Sequence, residues 1–226
     1  MKLLALETST DQCSVALLAD GEVRERTQTA AHAHAELILP MVESLLAESG
    51  CSLRQLDALA FGRGPGAFTG VRVATAVVQG LAFGAERPVV PVSDLMAVAA
   101  GAHRMHGAHR VLVCLDARLH EVYWCAYEVT APDQLRECVA EQLGGADQVQ
   151  PPPGRWFGAG SGFAAYRSQW QEGLGKSLVG EDAALLPAAR DIASLAARLF
   201  AEGHAVSADA ALPVYLRDQV ATPRAL

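Results

Sequence analysis

KLLALETSTDQCSVALLADGEVRERTQ, residues 2–28, contains three strand-like runs separated by short polar turns. The first run ends at Glu7, and a polar turn over Glu7–Gln12 leads into the second run. Asp20 and Gly21 then form a dipeptide typical of a two-residue hairpin turn. The pattern predicts three strands joined as an antiparallel meander.

The same pattern begins again at Arg110, in RVLVCLDARLHEVYWCAYEV. Alignment of LALE, which ends at Glu7, with VCLD, which ends at Asp116, gives an offset of about half the chain. Internal duplication predicts two lobes of related topology, with chance similarity as the alternative. We expect an N-terminal lobe over residues 1–108 and a C-terminal lobe over residues 109–226, with the terminal helix and tail able to pack back on the first lobe.

Helical periodicity marks two apolar segments of the N-terminal half. AELILPMVESLLAES, residues 35–49, has apolar side chains at helical spacing, and Gly50 suits its C-terminal cap. TGVRVATAVVQGLAF, residues 69–83, is apolar on nearly every side, which in a soluble protein predicts burial on two sides. Ser93 is expected to cap a third helix over Leu95–Ala102. AARDIASLAARLFAEG predicts an amphipathic helix near the C-terminus.

The composition limits the classes of protein that the chain can be. Its 226 residues are 51% hydrophobic and 19% charged, which excludes a disordered chain and predicts a sizeable core. A formal net charge of -7 argues against tight autonomous binding of nucleic acid, because that binding depends on Lys and Arg. Five cysteines without a C-x-x-C pair predict reduced thiols, and the apolar run in MKLLALETST is too short for a signal peptide. We expect a cytoplasmic protein.

FGRGPGAFTGVR, residues 61–72, is a glycine-rich loop between two apolar runs. The glycines are not followed by Gly-Lys-Ser/Thr, so a P-loop is not indicated, and the position of Pro65 does not fit a dinucleotide-binding fingerprint. Gly64, Pro65, Gly66 and Gly70 therefore predict either an anion-binding entry to the following helix or a tight turn needed only for packing. The sequence leaves both readings open.

The turn ETST after the first strand places hydroxyl groups beside an acidic residue. Asp116 ends the equivalent strand of the second half. Candidates for contact with a nucleotide and its Mg²⁺ are therefore Glu7, Thr8, Ser9 and Asp116. An ordinary polar turn between strands is the alternative.

The histidines do not predict a metal centre. His103, His106 and His109 are spaced by three, but no carboxylate or thiolate lies near them in the sequence. We interpret this segment as a solvated, weakly basic surface, with RNA contact through Arg104 and Arg110 as the alternative.

Six stretches together resemble the bacterial TsaB (YeaZ) family, and the resemblance covers nearly the whole chain. They are LALETSTDQCSVALL, LPMVESLL, GRGPGAFTGVRVATAVVQGLAFG, PVVPVSDLMAVA, LDARLHEVYWCAY and the terminal PVYLR. GPGAFTGVR is the most specific of them. The resemblance implies an α/β fold made of two duplicated ribonuclease-H-like lobes, as in actin, sugar kinases and the heat-shock ATPases.

The resemblance also implies a function. TsaB is similar to the catalytic subunit TsaD and pairs with it. With the ATPase TsaE, the two subunits transfer a threonylcarbamoyl group to the adenosine beside the anticodon in tRNAs that read codons beginning with A. The family role implied is an essential, non-catalytic subunit, so that ATP and metal belong to the partner subunits and tRNA is bound only as part of the complex.

A helical interface is the expected place of pairing. The two apolar helices offer more apolar surface than one sheet face can cover, so we expect their outer faces to pack on TsaD, or on a second copy in a homodimer. In this interpretation the glycine loop orients the second helix and Thr69 caps it. The expected interface side chains are Leu37, Met41, Leu45, Phe68, Val71, Thr75 and Val78.

The resemblance to TsaD also bears on metal binding. TsaD carries two metal-binding histidines four residues apart after its PV strand, and alignment on Pro91 and Val92 puts Asp94 and Val98 at those positions. Valine cannot ligate a metal, so we expect no metal centre there. His34 aligns with a further histidine of TsaD but has no evident mate.

Two other functions stay open at this stage. The chain could be an autonomous ATPase or kinase of the same fold, or a metalloprotease, as older interpretations of TsaD suggested. Arg104, Arg110 and Arg217 are the candidates for contact with tRNA.

Overall fold

A computed structural model describes residues 1–30, 33–170 and 173–217. The N-terminal half forms a five-stranded sheet in the order β3-β2-β1-β4-β5. β1, β2 and β3 are the predicted antiparallel meander, and β4 and β5 are parallel to β1. The strands are β1 Lys2–Glu7, β2 Gln12–Ala19, β3 Glu22–Thr29, β4 Ala58–Gly62 and β5 Val89–Val92.

The C-terminal half repeats this topology. Its sheet has the order β10-β9-β6-β7-β8, with β6, β7 and β8 antiparallel and β9 and β10 parallel to β6. The strands are β6 Arg110–Asp116, β7 Glu121–Ala131, β8 Gln134–Gly145, β9 Trp156–Ala159 and β10 Leu178–Asp182. The duplicated, ribonuclease-H-like α/β fold is therefore confirmed. β8 and β10 were not predicted, because neither has a clear apolar alternation.

Helices cover both faces of the first sheet. The helices of the chain are α1 His34–Ser49, α2 Phe68–Ala85, α3 Asp94–His106, α4 Gly162–Ala165, α5 Arg167–Trp170 and α6 Ala189–Ala201. α1 and α2 pack on one face, against side chains such as Leu4, Leu6 and Phe61. α6 packs on the opposite face, where Ala5, Ala16 and other small residues allow close approach.

α3 lies between the two sheets. Leu95 and Val98 of this helix pack on Val113 and Tyr127 of the second sheet, while its Ala97 and Ala100 belong to the core beneath the first. The far face of the second sheet is covered by α4 and α5. The lobe boundary at residues 108 and 109 stays a prediction, although the short link between α3 and β6 contains it.

Helix ends agree with the sequence in two cases and differ in one. Gly50 ends α1 in the left-handed conformation, with φ +59°, and Ser93 caps α3 by accepting a hydrogen bond from the amide of Met96 at 3.2 Å. Thr69 does not cap α2, because the helix begins one residue earlier at Phe68 and its N-cap is Ala67. Length and composition would allow α2 to span a membrane, but its inner face packs on the first sheet, as in a core helix.

Candidate partner surface and interlobe site

The outer face of α2 is open and, apart from Thr69 and Arg72, apolar. The Arg72 guanidinium lies over the ring of Phe68 at 3.5 Å. Phe83 is 82% exposed and Phe68 is 43% exposed. Ala76, Gly80 and Gly84, spaced by four residues, lie along the same exposed side, and a Cβ atom added at Gly80 or Gly84 would meet nothing within 4 Å. A second helix can therefore approach this side closely. Half-buried Val73, Val77 and Leu81 flank it.

α1 adds a smaller exposed area beside α2. Leu39 is 43% exposed, and Pro40 is exposed next to it. Leu37 is half-buried against the first core. We use the term outer helical face for seven exposed apolar residues of α1 and α2, which are Leu39, Pro40, Phe68, Ala76, Gly80, Phe83 and Gly84.

Five of the seven side chains expected at the interface do not lie on this face. They belong to the inner sides of the helices and are at most 8% exposed; they are Met41, Leu45, Val71, Thr75 and Val78. The expectation that they face outward is wrong. Met41, Leu45 and Val78 belong to the core of the first sheet, Val71 lies beside Gly64 of the glycine loop, and Thr75 donates to the carbonyl of Val71 in the preceding turn. Helical periodicity shows which residues share a side but not which side meets the sheet. Of the seven, Phe68 is exposed and Leu37 is half-buried.

The glycine loop packs tightly against the turn after β1. A Cβ at Gly66 would lie 2.5 Å from the Cβ of Ser9, and a Cβ at Gly70 would lie 1.9 Å from the carbonyl oxygen of Thr8. Gly64 has φ +100°, which favours glycine, and the Gly64–Pro65 peptide is cis. Close backbone packing therefore explains the loop, and the first of the two sequence interpretations, an anion site, stays a prediction.

The four nucleotide candidates separate into two pairs. Glu7 and Thr8 are fully buried, and the Thr8 hydroxyl donates to the carbonyl of Gly70 at 2.7 Å. Ser9 and Asp116 instead line a cleft of about 590 Å³ between the lobes. The prediction that Glu7 and Thr8 contact a nucleotide is therefore wrong, because their side chains at the end of β1 point into the lobe and not into the cleft.

Glu7 meets a second buried acid, Asp94, the first residue of α3. Both side chains are 0% exposed. A Cβ added at Gly62 would lie 1.9 Å from Oε2 of Glu7 and 2.1 Å from Oδ1 of Asp94, so the two oxygens face one another across the end of β4. Burial raises the pKa of both carboxyls, and the neighbouring Glu7 raises the pKa of Asp94 further.

Sequence analysis missed this pair, although a signal for it exists. β1 and β5 flank β4 in the sheet, and the carboxyl ends of parallel strands lie at one edge. Glu7 ends β1, and Asp94 follows β5 by two residues. An acidic residue after each outer strand and a glycine, Gly62, at the end of the middle strand predict a close approach of the two acids.

Asp116 ends β6, as Glu7 ends β1, but it has different neighbours. It accepts hydrogen bonds from the amide of Arg118 at 2.9 Å and the hydroxyl of Tyr166 at 3.1 Å. The Arg118 guanidinium lies 3.4 Å from its other oxygen. The turn continues through Arg118, Leu119 and His120, which all have positive φ between 56° and 64°.

The C-terminal segment ties the lobes together. The amide of Val214 donates to the carbonyl of Arg63 at 2.7 Å, and the Tyr215 hydroxyl accepts from Nε of Arg72 at 2.8 Å. On the second lobe, Nη2 of Arg217 donates to Oε2 of Glu121 at 2.6 Å. The segment therefore spans the mouth of the loop and the start of β7.

The three arginines proposed for tRNA contact are all bound within the chain. Arg104 forms a two-point ion pair with Asp191, with N–O distances of 2.8 and 2.9 Å. Arg110 lies over the ring of Trp156 at 4.1 Å and 3.5 Å from Glu128. Arg217 is bonded to Glu121, as described above. Contact of these three arginines with tRNA stays a prediction.

The residues do not fit the metal site of TsaD. Val98 is fully buried among apolar side chains, and Asp94 faces Glu7. His34 contacts the carbonyl oxygen of Thr10 through Nε2 at 2.7 Å. Within residues 1–30, 33–170 and 173–217, no three His, Cys, Asp or Glu side chains lie close enough to hold one metal ion.

Known proteins that are similar to this chain in sequence point to one family. Residues 26–224 match the sequence model of the family described as TsaD, tRNA N6-adenosine threonylcarbamoyltransferase. The chain is 43% identical to the Escherichia coli K12 tRNA threonylcarbamoyladenosine biosynthesis protein TsaB, over 98% of this chain and 96% of that protein. It is 45% identical to the Haemophilus influenzae protein of the same name, over 97% and 95%.

Two solved structures from Pseudomonas aeruginosa have the same fold. YeaZ has a TM-score of 0.87 at 46% identity, covering 95% of this chain and 99% of that one. A second, described as an uncharacterized protein with similarity to peptidase YeaZ, has a TM-score of 0.89 at 47% identity, covering 96% and 99%. The chain therefore belongs to the TsaB (YeaZ) family of tRNA threonylcarbamoyladenosine biosynthesis proteins, within the wider TsaD family.

Proposed function

We propose that this protein is a non-catalytic subunit of the complex that places threonylcarbamoyl on the adenosine next to the anticodon of tRNAs reading codons beginning with A. It binds a TsaD subunit through the outer helical face and thereby activates it. TsaE joins as the ATPase, tRNA binds only to the assembled complex, and the protein acts in the cytoplasm. When alone, the chain uses the same face to form a homodimer.

The outer helical face carries this proposal. Phe83 is 82% exposed, and exposed aromatic side chains of this kind often act as anchors in protein interfaces. The row of Ala76, Gly80 and Gly84 leaves room for a partner helix beside that anchor. Large exposed apolar areas in soluble proteins usually mark a partner.

The residues at the metal positions support the non-catalytic role. Val98 offers no ligand atom, and the facing oxygens of Asp94 and Glu7 are enclosed in the lobe. The metal and ATP used by the complex would then be bound by the partner subunits.

Substitution of Phe83 by Glu tests the interface. Phe83→Glu replaces the most exposed aromatic side chain of the face by a charge and is expected to weaken binding to TsaD, measured by titration calorimetry, by at least about 100-fold. Val179→Glu, at a site on β10 that is 59% exposed, is the matched control and should bind normally. Met41→Glu and Val78→Glu are unsuitable, because they would charge the core of the lobe.

Both variants must unfold at the temperature of the wild-type protein, so that lost binding reports the surface alone. Wild-type affinity in Phe83→Glu would contradict the proposal. Reconstituted threonylcarbamoylation should fall in parallel with binding.

The interlobe cleft favours a second candidate function, that of an autonomous ATPase or kinase. Ser9, Thr10 and Asp116 line this cleft of about 590 Å³, and the side chain of Arg118 lies at its edge. Micromolar binding of Mg-ATP by the isolated chain, abolished by Asp116→Asn, would favour that function. Absence of binding at millimolar ATP would exclude it.

A further inference from the structure

Glu7 holds the turn after β1, Asp94 holds the glycine loop, and the two segments are bonded to each other. Oε1 of Glu7 accepts a hydrogen bond from the amide of Ser9, and Oδ2 of Asp94 accepts one from the amide of Gly64 at 2.6 Å. The carbonyl of Gly64 in turn accepts from the amide of Asp94 at 3.1 Å. The amide of Ala67, the N-cap of α2, donates to the carbonyl of Ser9 at 2.7 Å.

The two facing oxygens have no donor of their own. Oε2 of Glu7 and Oδ1 of Asp94 are buried, and neither contacts a hydrogen-bond donor among the residues that the structure describes. Both occupy the space beside Gly62 that a methyl group would fill, since a Cβ atom there would overlap each of them. Two ionised carboxylates in such contact repel one another strongly, whereas one proton between them makes a hydrogen bond.

The charged groups around the pair do not remove the need for a proton. Glu141 of β8 adds negative charge near Asp94, and its nearest cation, Arg63, lies 3.6 Å from Glu141 itself. The hydrogen bonds of Asp94 and Ser9 to Glu7 oppose the effect of burial on the Glu7 pKa, and the charge interaction with His34 of α1 acts in the same direction. Cys13 of β2 also faces Glu7, and its pKa is raised to about 11 by burial and by the Glu7 carboxylate.

We propose that Glu7 and Asp94 share one proton at neutral pH, and that the resulting carboxyl–carboxylate hydrogen bond positions the glycine loop and the start of α2. Loss of that proton leaves two like charges facing each other inside the lobe. The amide of Gly64 in the glycine loop and the amide of Ser9 in the turn after β1 are bonded to those same carboxyls. Ser9 in turn accepts from the amide of Ala67, so the repulsion reaches the entry to α2 through both contacts.

Proton linkage gives this pair a measurable signature. The unfolded chain releases both carboxyl protons near pH 4, while the native pair keeps one at neutral pH. The stabilising effect of this retained proton is therefore complete below the unfolded pKa and is lost as pH rises toward the native pKa. One retained proton changes the unfolding equilibrium constant about tenfold per pH unit.

Denaturant unfolding of the wild type, Glu7→Gln and Asp94→Asn at pH 5 to 7 tests the proposal. Each amide keeps a donor toward the facing oxygen and removes the shared proton. The unfolding equilibrium constant of the wild type, divided by that of either variant, should rise about tenfold per pH unit. Taking this ratio cancels the contribution of the histidines that both proteins share. A ratio that is constant within twofold over this range overturns the proposal.

Asp116→Asn is the matched control, because Asp116 occupies the equivalent strand end with Arg118 and Tyr166 as donors. It should keep the wild-type pH dependence. Loss of the dependence in this variant as well would show that the proton does not belong to the Glu7–Asp94 pair.

Infrared spectroscopy covers the case in which the amide variants do not fold. The wild type at pH 7 should show the C=O stretch of a protonated carboxyl, and its absence overturns the proposal. The band should persist in Glu25→Gln, since Glu25 is another carboxyl whose pKa is raised by burial.

The consequence for the partner rests on the proposed function. Binding of TsaD through α2 should weaken as pH rises toward the native pKa in the wild type and not in Glu7→Gln. The unfolding and infrared measurements involve no partner, so failure of the shared proton and failure of the interface are distinguishable.

Discussion

The turns after β1 and β6 occupy equivalent places in two sheets of the same topology, but the acidic residues that begin them have different surroundings. Glu7 is 0% exposed and faces a second acid, whereas Asp116 lies at the cleft, between the guanidinium of Arg118 and the hydroxyl of Tyr166. The duplicated backbone places an acid at both strand ends. What each acid does depends on the side chains that the other elements bring to it.

The backbones of the two turns differ as well. Glycines of the loop, Gly66 and Gly70, allow the first turn to pack directly on α2. The second turn has no glycine and passes through three left-handed residues, with Leu119 76% exposed at its tip. The first turn therefore supports the helices, and the second presents side chains to solvent.

The largest effect is expected at Gly62. Gly62→Ala would place a methyl group within 2.1 Å of both carboxyl oxygens at the end of β4, where both carboxyls are buried and held by the amides of Ser9 and Gly64. We expect a loss of about 3 kcal/mol or more in the free energy of unfolding, measured with denaturant. Gly80→Ala, at an open helical site, should change it by less than about 1 kcal/mol and in the stabilising direction. Equal effects would show that the carboxyl pair is not tightly enclosed.

Alanine substitution of the two acids sharpens the comparison. Asp94→Ala leaves Glu7 buried with an unpaired oxygen and is expected to destabilise the protein by about 2 kcal/mol at pH 5. Asp116→Ala should destabilise it by about 1 kcal/mol, because Arg118 and Tyr166 can then turn to water in the cleft. Thermal and denaturant unfolding measure both values. A larger effect at Asp116 would contradict the assigned difference between the turns.

The smallest effect is expected from glycine at the tips of the turns. Leu119→Gly removes a side chain from a left-handed residue with φ +56° and should stabilise the protein by up to about 1 kcal/mol. Thr10→Gly should instead destabilise it by about 0.5–1 kcal/mol, since Thr10 has ordinary φ and its hydroxyl accepts from the amide of Gln12. The same sign for both substitutions would refute the conformational difference between the turns.

Much of the fold could be predicted from local pattern. The meander, the repeat at Arg110, α1, α2 and the ends at Gly50 and Ser93 all follow from periodicity and capping residues. β8 escaped prediction because QLRECVAEQLGG alternates poorly. Its edge position in the sheet explains this, since an edge strand buries less of each face.

The site was predictable only in part. Phe68 and the glycine loop were recognised, but Met41, Leu45, Val71, Thr75 and Val78 were assigned to the wrong side of their helices. Both helices are apolar on more than one side, so composition alone cannot distinguish a core-facing side chain from a partner-facing one. The exposed Phe83 and the open row of small residues became evident only once the sheet covered the other sides.

The sequence by itself determined the duplicated α/β topology, the membership of the TsaB family and the acids at the two equivalent strand ends, because strands, turns and caps depend on neighbouring residues. Tertiary structure alone decided that Glu7 meets Asp94, that Asp116 meets Arg118 and Tyr166, and which side of α2 is free. These contacts join residues far apart in the chain, and the order of strands in the sheet, rather than local preference, sets their distances.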